Sequence, residues 1–190
     1  MRADAQRNRR RLIHAAVELI LDGGGEPTMD AVATRAGVGV GTLYRHFPDR
    51  QQLLRAVVLD VLDRMIERGR AALAESPDGR EALRRYMHDA VDTGLGVVNI
   101  VQPLLDTPDW PDRRAAAEEV LERLTEAARR DGAIGERIGV GEIAMATIRF
   151  SRPLGIGLNP EAERAIAHRQ LDDYLDGLTV GAERTRPRPC

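Results

Sequence analysis

Apolar residues recur along this chain at intervals of three and four, the spacing that gathers them on one face of an α-helix. Leu12, Ala16 and Ile20 show this spacing near the start, and a longer apolar seam of the same period covers residues 54–65. The strict alternation of a half-buried β-strand is missing from the sequence. The pattern therefore predicts an all-α protein. The predicted helices cover residues 4–21, 29–36, 40–47, 50–74, 80–98, 112–130, 140–152 and 160–178.

The second and third predicted helices are short and separated by a glycine. Thr28 follows Pro27, so the chain is extended there and the threonine can cap a helix. Gly37 ends that helix, because glycine adopts the left-handed conformation of a helix terminus at least cost. Two short helices joined in this way are typical of a helix-turn-helix DNA-binding unit. A plain corner in an all-α protein is the alternative interpretation of residues 28–39.

The third predicted helix separates its apolar and polar groups sharply. Leu43 and Phe47 are four residues apart and face inward together. The remaining surface carries groups that donate hydrogen bonds to phosphates or base edges, and it carries no carboxylate. An ordinary solvated helix face is the alternative, but such a face usually mixes both charges. The outward and flanking residues are Gly41, Thr42, Tyr44, Arg45 and His46.

The exit from this helix is also specified. Pro48 ends it, and Asp49 is placed to cap the next helix, with Gln52 three residues on in a capping-box arrangement. Arg50 falls in the first turn, where a phosphate would also meet the helix N-terminus.

This ordered set of residues resembles the DNA-binding domain of the tetracycline-repressor (TetR) family of bacterial regulators. The resemblance covers residues 9–58, about a quarter of the chain, and its motifs are highly specific. The matching residues are Arg10 to Ala16, Thr28, Val32 and Ala33, Ala36 to Val38, Gly41 to Phe47, and Leu53 and Leu54.

The resemblance implies roles for individual residues. In the family, residues that match Thr42, Tyr44 and His46 contact DNA, mostly its backbone, and a basic residue that matches Arg50 contacts a phosphate. The resulting DNA-binding candidates are Thr28, Val40, Gly41, Thr42, Tyr44, Arg45, His46 and Arg50.

The chain departs from the family pattern at two positions. A serine-like cap is frequent where this chain has Gly39, and a polar or basic residue is frequent where it has Val40. Contact through Val40 would be apolar, for example against a thymine methyl group. Base readout would then depend more on Arg45, whose guanidinium suits guanine.

The resemblance also implies the organisation and the function of the whole chain. We expect a helix-turn-helix DNA-binding domain over residues 1–48, a helical ligand-binding and dimerisation domain over residues 49–180, and a disordered tail over residues 181–190. The implied function is a ligand-responsive transcriptional regulator, a repressor that binds a palindromic operator as a homodimer and is released by a small-molecule inducer.

Charge is unevenly distributed along the chain. The formal net charge is −2, which argues against a strongly basic protein that coats nucleic acid. Residues 1–50 nevertheless hold eight arginines against six carboxylates. Five of those arginines lie within residues 1–11, either as an arm that touches phosphates or a minor groove, or as a disordered, solvated tail.

An enzyme is the main alternative of a different class. The four histidines, His14, His46, His88 and His168, show no metal-ligand spacing, so neither a metal nor a cofactor is predicted. Residues 139–144 match a G-x-G-x-x-A dinucleotide pattern, but the preceding segment is charged and glycine-broken, unlike a buried strand. An architectural DNA-binding protein without a ligand is the other alternative, although dimerisation alone needs less chain than residues 49–180.

The compartment follows from the ends and from the hydropathy of the chain. The N-terminus is charged and lacks a signal peptide, and no apolar run reaches the length of a membrane span. Cys190 is the only cysteine and is assigned no role. We expect a cytoplasmic protein without a membrane partner.

The C-terminal region offers candidates for the effector site and the subunit interface. Aliphatic residues dominate it, since aromatic residues make up only 3% of the chain, so a modest aliphatic pocket is expected. The ligand candidates are Tyr86, Met87, Val91, Asn99, Gln102, Trp110, Met145 and Phe150. The last two helices are expected to pair with their symmetry mates through a stripe that could instead pack inside the subunit. This stripe is Ala167, Leu171, Tyr174, Leu175 and Leu178.

Overall fold

The computed structural model describes residues 2–23, 25–106, 110–152 and 159–184. Within these ranges the regular structure is helical and contains no strand, which confirms the all-α prediction. The α-helices are α1 Arg2–Gly23, α2 Met29–Ala36, α3 Val40–His46, α4 Arg50–Glu75, α5 Gly79–Thr93, α6 Gly96–Val101, α7 Pro111–Arg130, α8 Val140–Ser151 and α9 Pro160–Arg184. A 3₁₀ turn, Gln102–Leu104, follows α6. None of the helices in the described ranges is long and apolar enough to cross a bilayer.

One predicted helix, 80–98, is two helices in the structure. Gly94 ends α5 with a φ of 72°, and its N–H bonds back to the carbonyls of Ala90 and Val91. The sequence pattern missed this break because residues 95–101 continue the apolar character of the helix before them. Leu21 packs so closely there that a Cβ at position 94 would lie 2.8 Å from its Cδ1 atom.

The last helix is longer than expected. Helix α9 runs to Arg184, so the first four residues of the predicted disordered tail, 181–184, are helical. Residues 185–190, including Cys190, lie outside the described ranges, as do the proline-flanked residues 107–109 and the predicted loop at 153–158.

The buried side chains form two clusters, and α4 contributes to both. The first cluster joins α1, α2 and α3 to the first half of α4 and to α6, and it includes Leu43, Phe47 and Trp110. The second joins the later part of α4 to α5, α7 and α8, and includes Leu171 of α9. The three N-terminal helices therefore share their core with α4 and α6, and the domain boundary at residue 48 stays a prediction.

Candidate nucleic-acid interface

Local capping fixes the turn between α2 and α3 as the sequence predicted. The Thr28 hydroxyl oxygen accepts a hydrogen bond from the Ala31 N–H at 3.2 Å, which starts α2. Gly37 adopts a φ of 63°, and its N–H reaches the Thr34 carbonyl at 3.0 Å. The Val38 N–H bonds to the Ala33 carbonyl at 3.0 Å, which completes the helix end. These local bonds set the direction in which α3 leaves α2.

Helix α3 is held by one apolar edge. Leu43 is fully buried and Phe47 is 2% exposed, so the opposite side of this short helix must face outward. Val40 and Tyr44 are 43% and 49% exposed, and they are among the few exposed large hydrophobic residues of the described chain. Gly41 and Arg45 are exposed and Thr42 and His46 are half-buried. The predicted outward face is thus present, with a guanidinium, a hydroxyl, a phenol and an imidazole on it.

Arg45 lies along its own helix. Its Nε donates to the Gly41 carbonyl at 3.1 Å, and its Nη2 donates to the Thr42 hydroxyl at 3.4 Å. The guanidinium is therefore oriented toward the N-terminal end of α3, the part of a recognition helix that contacts base edges. An arginine carries more N–H donors than these two bonds use, so it can still donate to an outside acceptor in this position.

Arg50 is already partnered. Its Nε lies 2.8 Å from a carboxylate oxygen of Glu26, in the connection between α1 and α2. Asp49 caps α4 through a 2.8 Å bond from the Gln52 N–H, while the Gln52 amide reaches the same carboxylate at 3.0 Å instead of the cap backbone. A phosphate at Arg50 would therefore have to share or displace Glu26, a partner that the sequence pattern did not indicate.

The N-terminal arginines are helical in the structure. Helix α1 includes Arg7, Arg9, Arg10 and Arg11, so a disordered tail does not describe these four residues, and their contact with phosphates stays a prediction. The guanidinium carbon of Arg9 lies 5.1 Å from the ring centroid of Phe47, a cation–π contact that supports the end of α3. Sequence analysis missed this role, because the contact joins residues that are far apart along the chain.

A glutamine ties the first turn of α4 to the segment after α6. The Gln51 amide nitrogen donates to the Leu104 carbonyl at 2.9 Å, and its oxygen accepts the Asp106 N–H at 3.3 Å. Because Gln51 follows Arg50, this pair of bonds links the exit of the helix-turn-helix to the rest of the molecule. The sequence pattern gave no signal for it.

The ligand candidates do not converge on one cavity. Tyr86, Met87 and Val91 are buried in the second cluster, and burial raises the pKa of Tyr86 to about 12. Trp110 is 8% exposed and packs in the first cluster. The remaining candidates divide by exposure: Asn99 and Met145 are exposed, and Gln102 and Phe150 are half-buried.

Two of these candidates, Val91 and Phe150, line one small cavity of about 50 Å³. It lies where the ends of α1, α5 and α8 meet the start of α9. Two arginines and a glutamate are among the residues that line it. Its other lining residues are Leu21, Ser151, Arg152, Pro160, Glu163, Arg164 and Ala167.

The predicted interface stripe of α9 packs inside the subunit. Leu171 is fully buried, so it cannot contribute to a subunit interface in this conformation. The other members of the stripe, Ala167, Tyr174, Leu175 and Leu178, are partly buried against the second cluster. The helical period showed which residues share a face, but the apolar surfaces of α5 and α8 cover that face. Leu171 therefore packs within the monomer, and a role of the four half-buried residues in a subunit interface stays a prediction.

The residues that form α2 and α3 also match a known protein family. Residues 12–57 match the model of the bacterial regulatory proteins of the tetR family. Among curated proteins, the HTH-type transcriptional repressor KstR of Rhodococcus jostii is 41% identical over 85 residues, which are 44% of this chain and 38% of that protein. The uncharacterized regulator Rv2912c of Mycobacterium tuberculosis is 36% identical over 92 residues, 48% of this chain and 47% of that protein. The chain thus spans less than half of the length of these curated relatives.

Solved structures extend the likeness to nearly the whole chain. The TetR transcription regulatory protein of Mycobacterium vanbaalenii is 32% identical, covers 93% of this chain and 98% of its own, and has a TM-score of 0.66. The protein belongs to the TetR family. This TetR-family protein is also similar to the regulator SCO0520 of Streptomyces coelicolor, at 28% identity over 90% of this chain and 97% of that one, with a TM-score of 0.68. Its relatives are DNA-binding transcriptional regulators and not enzymes, as the sequence predicted.

A third solved relative has a bound small molecule. This relative is LfrR of Mycobacterium smegmatis, whose structure was solved in complex with proflavine. It is 25% identical to this TetR-family protein, with a TM-score of 0.62, and the similarity covers 88% of this protein and 95% of LfrR. In the part of the chain that the structure describes, no group of three or more histidine, cysteine or acidic residues is arranged to hold a metal ion.

Proposed function

We propose that this TetR-family protein is a homodimeric repressor that binds a palindromic operator and is released by a small molecule. The observation that supports DNA binding most directly is the division of α3. Its apolar edge, Leu43 and Phe47, is buried, while its outward side carries hydrogen-bond donors and no carboxylate. Such a surface complements the phosphates and base edges of a major groove.

Within this proposal the outward residues divide by role. Thr28, Thr42, Tyr44, His46 and Arg50 contact phosphates, which fix the position of α3 on the duplex. Val40 and Arg45, nearer the bases, read sequence through a methyl contact and through guanine acceptors. With a two-fold symmetric dimer, the half-sites lie about one helical turn apart or a multiple of it.

Substitution of Arg45 tests the proposed reading of bases. We expect Arg45→Ala to lose about 1–3 kcal/mol of binding to the preferred sequence and to relax preference at one base pair. Operator fragments would be selected from genomic DNA by the purified protein, and affinities measured by fluorescence anisotropy at fixed salt.

The matched control removes an equal charge elsewhere. Arg35 lies on α2, and its Nη1 is 3.1 Å from an Asp22 carboxylate oxygen and 3.4 Å from a Glu18 oxygen. Arg35→Ala should therefore change specific and random binding alike. If Arg45→Ala and Arg35→Ala gave the same sequence preference as the unchanged protein, Arg45 would not be a base reader.

The effector part of the proposal is supported by a solved relative with a bound small molecule. Proflavine is bound in the structure of LfrR, a relative with the same fold. In this protein the cavity of about 50 Å³ is far smaller than the roughly 300–1,000 Å³ of typical ligand sites, so an effector would have to enlarge it. Such a ligand shifts the protein only if it binds the DNA-free conformation more tightly.

A thermal-shift screen of small molecules tests this part. We expect at least one class of compound to raise the melting temperature and, at the same concentration, to release operator DNA. Compounds that stabilise the protein without releasing DNA would contradict the inducer, and a screen without any binder would favour an architectural DNA-binding protein.

The proposed dimer uses the outward sides of α8 and α9, because the stripe first predicted for it is covered. Met145 on α8 is 63% exposed. The other exposed or half-buried apolar residues considered on these two helices are Ala144 and Ile148 on α8 and Ala162, Ala165 and Ile166 on α9. They give a face of small and medium side chains against which a second copy of the chain could pack.

A further inference from the structure

Two histidines from different helices meet at the surface of the second core cluster. His88 lies on α5 and His168 on α9, and their Nδ1 atoms are 2.7 Å apart. Each ring turns its other nitrogen to a carboxylate of the opposite helix. His88 Nε2 is 2.9 Å from Asp172, and His168 Nε2 is 3.0 Å from Asp92. The result is a continuous row of carboxylate, imidazole, imidazole and carboxylate between α5 and α9.

The two rings meet edge to edge. Their planes differ by 13° and their centroids are 4.9 Å apart. This separation is close to the Nδ1–Nδ1 distance plus the two ring radii, so the two nitrogens lie nearly on the line between the ring centres. The lone pair or proton of one Nδ1 therefore points directly at the other.

Counting protons shows which state satisfies this row. The three contacts need three N–H groups, and two neutral imidazoles supply only two. In the neutral pair, either two lone pairs face each other at Nδ1 or one Nε2 lone pair faces a carboxylate. Two imidazolium rings would instead set two N–H groups against each other. Only the pair with one extra proton makes all three hydrogen bonds.

The surrounding charges agree with one extra proton. Arg84 of α5 lies 2.5 Å from the same Asp172 oxygen that faces His88. The two carboxylates are then balanced by Arg84 and by one positive charge on the imidazole pair. The rings are 23% and 27% exposed, so solvent protons can reach them while the local dielectric stays below that of water.

Charged groups on the other packed helices have partners of their own. Arg68 of α4 is 3.7 Å from Asp89 of α5, and Glu142 and Arg149 of α8 act on the Tyr174 hydroxyl. The α7 residues that are buried against α5 are apolar except for Thr125, whose hydroxyl donates to the Leu121 carbonyl. The charges recorded at the imidazoles are thus those of Arg84, Asp92 and Asp172.

We propose that His88 and His168 form one proton-binding site that joins α9 to α5. One proton is shared between the two Nδ1 atoms. With this proton the pair carries a single positive charge and makes all three hydrogen bonds. A metal ion does not fit between the two Nδ1 atoms, because two nitrogens that bind one tetrahedral zinc ion lie about 3.3 Å apart and these lie 2.7 Å apart. The attachment of α9 to α5 is consequently strongest at intermediate pH and weakens when the pair loses or gains a proton.

Histidine NMR tests the shared proton in the full-length protein. With ring-labelled histidine, we expect the signals of His88 and His168 to report the same two titration steps, as coupled groups do. In His168→Gln, the glutamine keeps an amide donor but cannot hold a shared proton, so His88 should show one simple step. If both rings titrate independently in the unchanged protein, with the same midpoints as in the single variants, the proposal is wrong.

The matched control is another histidine beside a carboxylate. His14 is 3.2 Å from Glu18 on the exposed side of α1, without a second imidazole in that ion pair. We expect the melting temperature of the unchanged protein to exceed that of His168→Gln by about 2–4 °C at intermediate pH, with a smaller difference on both sides. The difference from His14→Gln should show no maximum at intermediate pH, and a maximum for both variants or for neither would overturn the proposal.

A second variant keeps both imidazoles and so guards against a misfolded protein. Asp92 is 58% exposed, and Asp92→Asn removes the carboxylate that orients the His168 ring. It should move both titration steps of the pair, and unchanged steps would count against the assignment. Addition of Zn²⁺ to the unchanged protein and to His168→Gln tests the alternative that the two histidines bind a metal ion. If zinc shifted both ring signals and raised the melting temperature of the unchanged protein but not of His168→Gln, the site would be a metal site instead.

Discussion

At the scale of the residue, the fold of the free protein does not require a glycine at position 41 of α3. Close approach of the α3 backbone to DNA would require one. A Cβ built at Gly41 meets no atom within 4 Å, so an alanine fits the free protein. We expect Gly41→Ala to leave the fold unchanged or more stable by up to about 1 kcal/mol, because alanine favours helix. The same methyl group should weaken operator binding, since it would lie between the helix backbone and the duplex.

Urea unfolding and DNA anisotropy on the same preparation separate these two effects of Gly41→Ala. Stability that rises while affinity falls would support close approach of the α3 backbone to DNA. An alanine variant with unchanged affinity would mean that α3 does not approach DNA through position 41.

Tyr86 gives the protein a specific sensitivity to alkali. Burial raises the pKa of Tyr86 from 10.0 to about 12, so the folded state holds a phenolic proton that the unfolded chain releases above about pH 10. The free energy of unfolding should therefore be unaffected by this group at neutral pH. It should fall by up to about 3 kcal/mol between pH 10 and pH 12.

Urea unfolding at a series of pH values measures this alkaline loss. Tyr86→Phe removes the ionisable group, so its stability curve should be flatter above pH 10 than that of the unchanged protein. Curves that stayed parallel through this range would show that another group causes the loss.

The residues of α3 could be predicted because their environment is local. Leu43 and Phe47 face inward for reasons of helical period alone, and the outward set follows from them. The contacts of Arg9 with Phe47 and of Arg50 with Glu26 could not be predicted, since each joins separate elements. Sequence analysis therefore found the donors but not the groups that hold them.

At the scale of the element, the packing of α4 against α5 and α7 leaves no room for a side chain at one position. Gly69 lies where α4 meets α5 and α7, and a Cβ there would be 2.2 Å from Val120 Cγ1 and 3.1 Å from the Tyr86 ring. We expect Gly69→Ala to lower the free energy of unfolding by about 1–3 kcal/mol, although alanine is the better helix former. Gly41→Ala is the matched comparison, because it makes the same change at an open helical position.

Urea unfolding of the two alanine variants side by side checks this expectation. A loss of stability confined to Gly69→Ala would show that the close approach of α7 to α4 requires a glycine. If both variants were equally stable or both gained stability, the contact at Val120 would relax without cost.

Helix ends were predictable where a cap lies beside them, and not where the partner is distant. Thr28 and Asp49 cap α2 and α4 within three residues of sequence, so the starts of these helices were found. Gly94 breaks an apolar run in which glycine alone gave no clear signal, and the α5–α6 boundary was missed. The stripe on α9 shows a different limit, because periodicity identifies which residues share a face but not which surface packs against that face.

At the scale of the whole molecule, α4 connects the DNA-binding helices to the helices that carry the proposed dimer. Its first half packs with α1–α3 and α6, and its later part packs with α5 and α7. Gln51 adds hydrogen bonds from the first turn of α4 to the backbone after α6. A displacement of α6 would therefore act on the turn that carries Arg50, which would connect the proposed effector to the proposed DNA contacts.

The proposed two-fold dimer can be tested by substituting Met145, an exposed apolar residue of the proposed interface. Met145 is 63% exposed on α8, and in a symmetric interface one substitution changes both subunits. We expect Met145→Glu to raise the dimer dissociation constant by roughly 10–1000-fold, because it buries an unpaired charge twice. Sedimentation velocity over a concentration series measures this change, and binding to a two-half-site operator should weaken in parallel with it.

The control for Met145→Glu is a second exposed apolar residue away from α8 and α9. Leu104 is 37% exposed in the 3₁₀ turn, and only its backbone carbonyl takes part in the bond to Gln51. Leu104→Glu adds the same charge but should leave the dimer intact. If it dissociated the protein as strongly as Met145→Glu, net charge would be the cause, and if neither variant dissociated, the subunits would pair through a different face. Dissociation by Met145→Glu alone, with single half-sites still bound, would assign the outward side of α8 to the dimer, because only contact with a second subunit would make that position sensitive to charge.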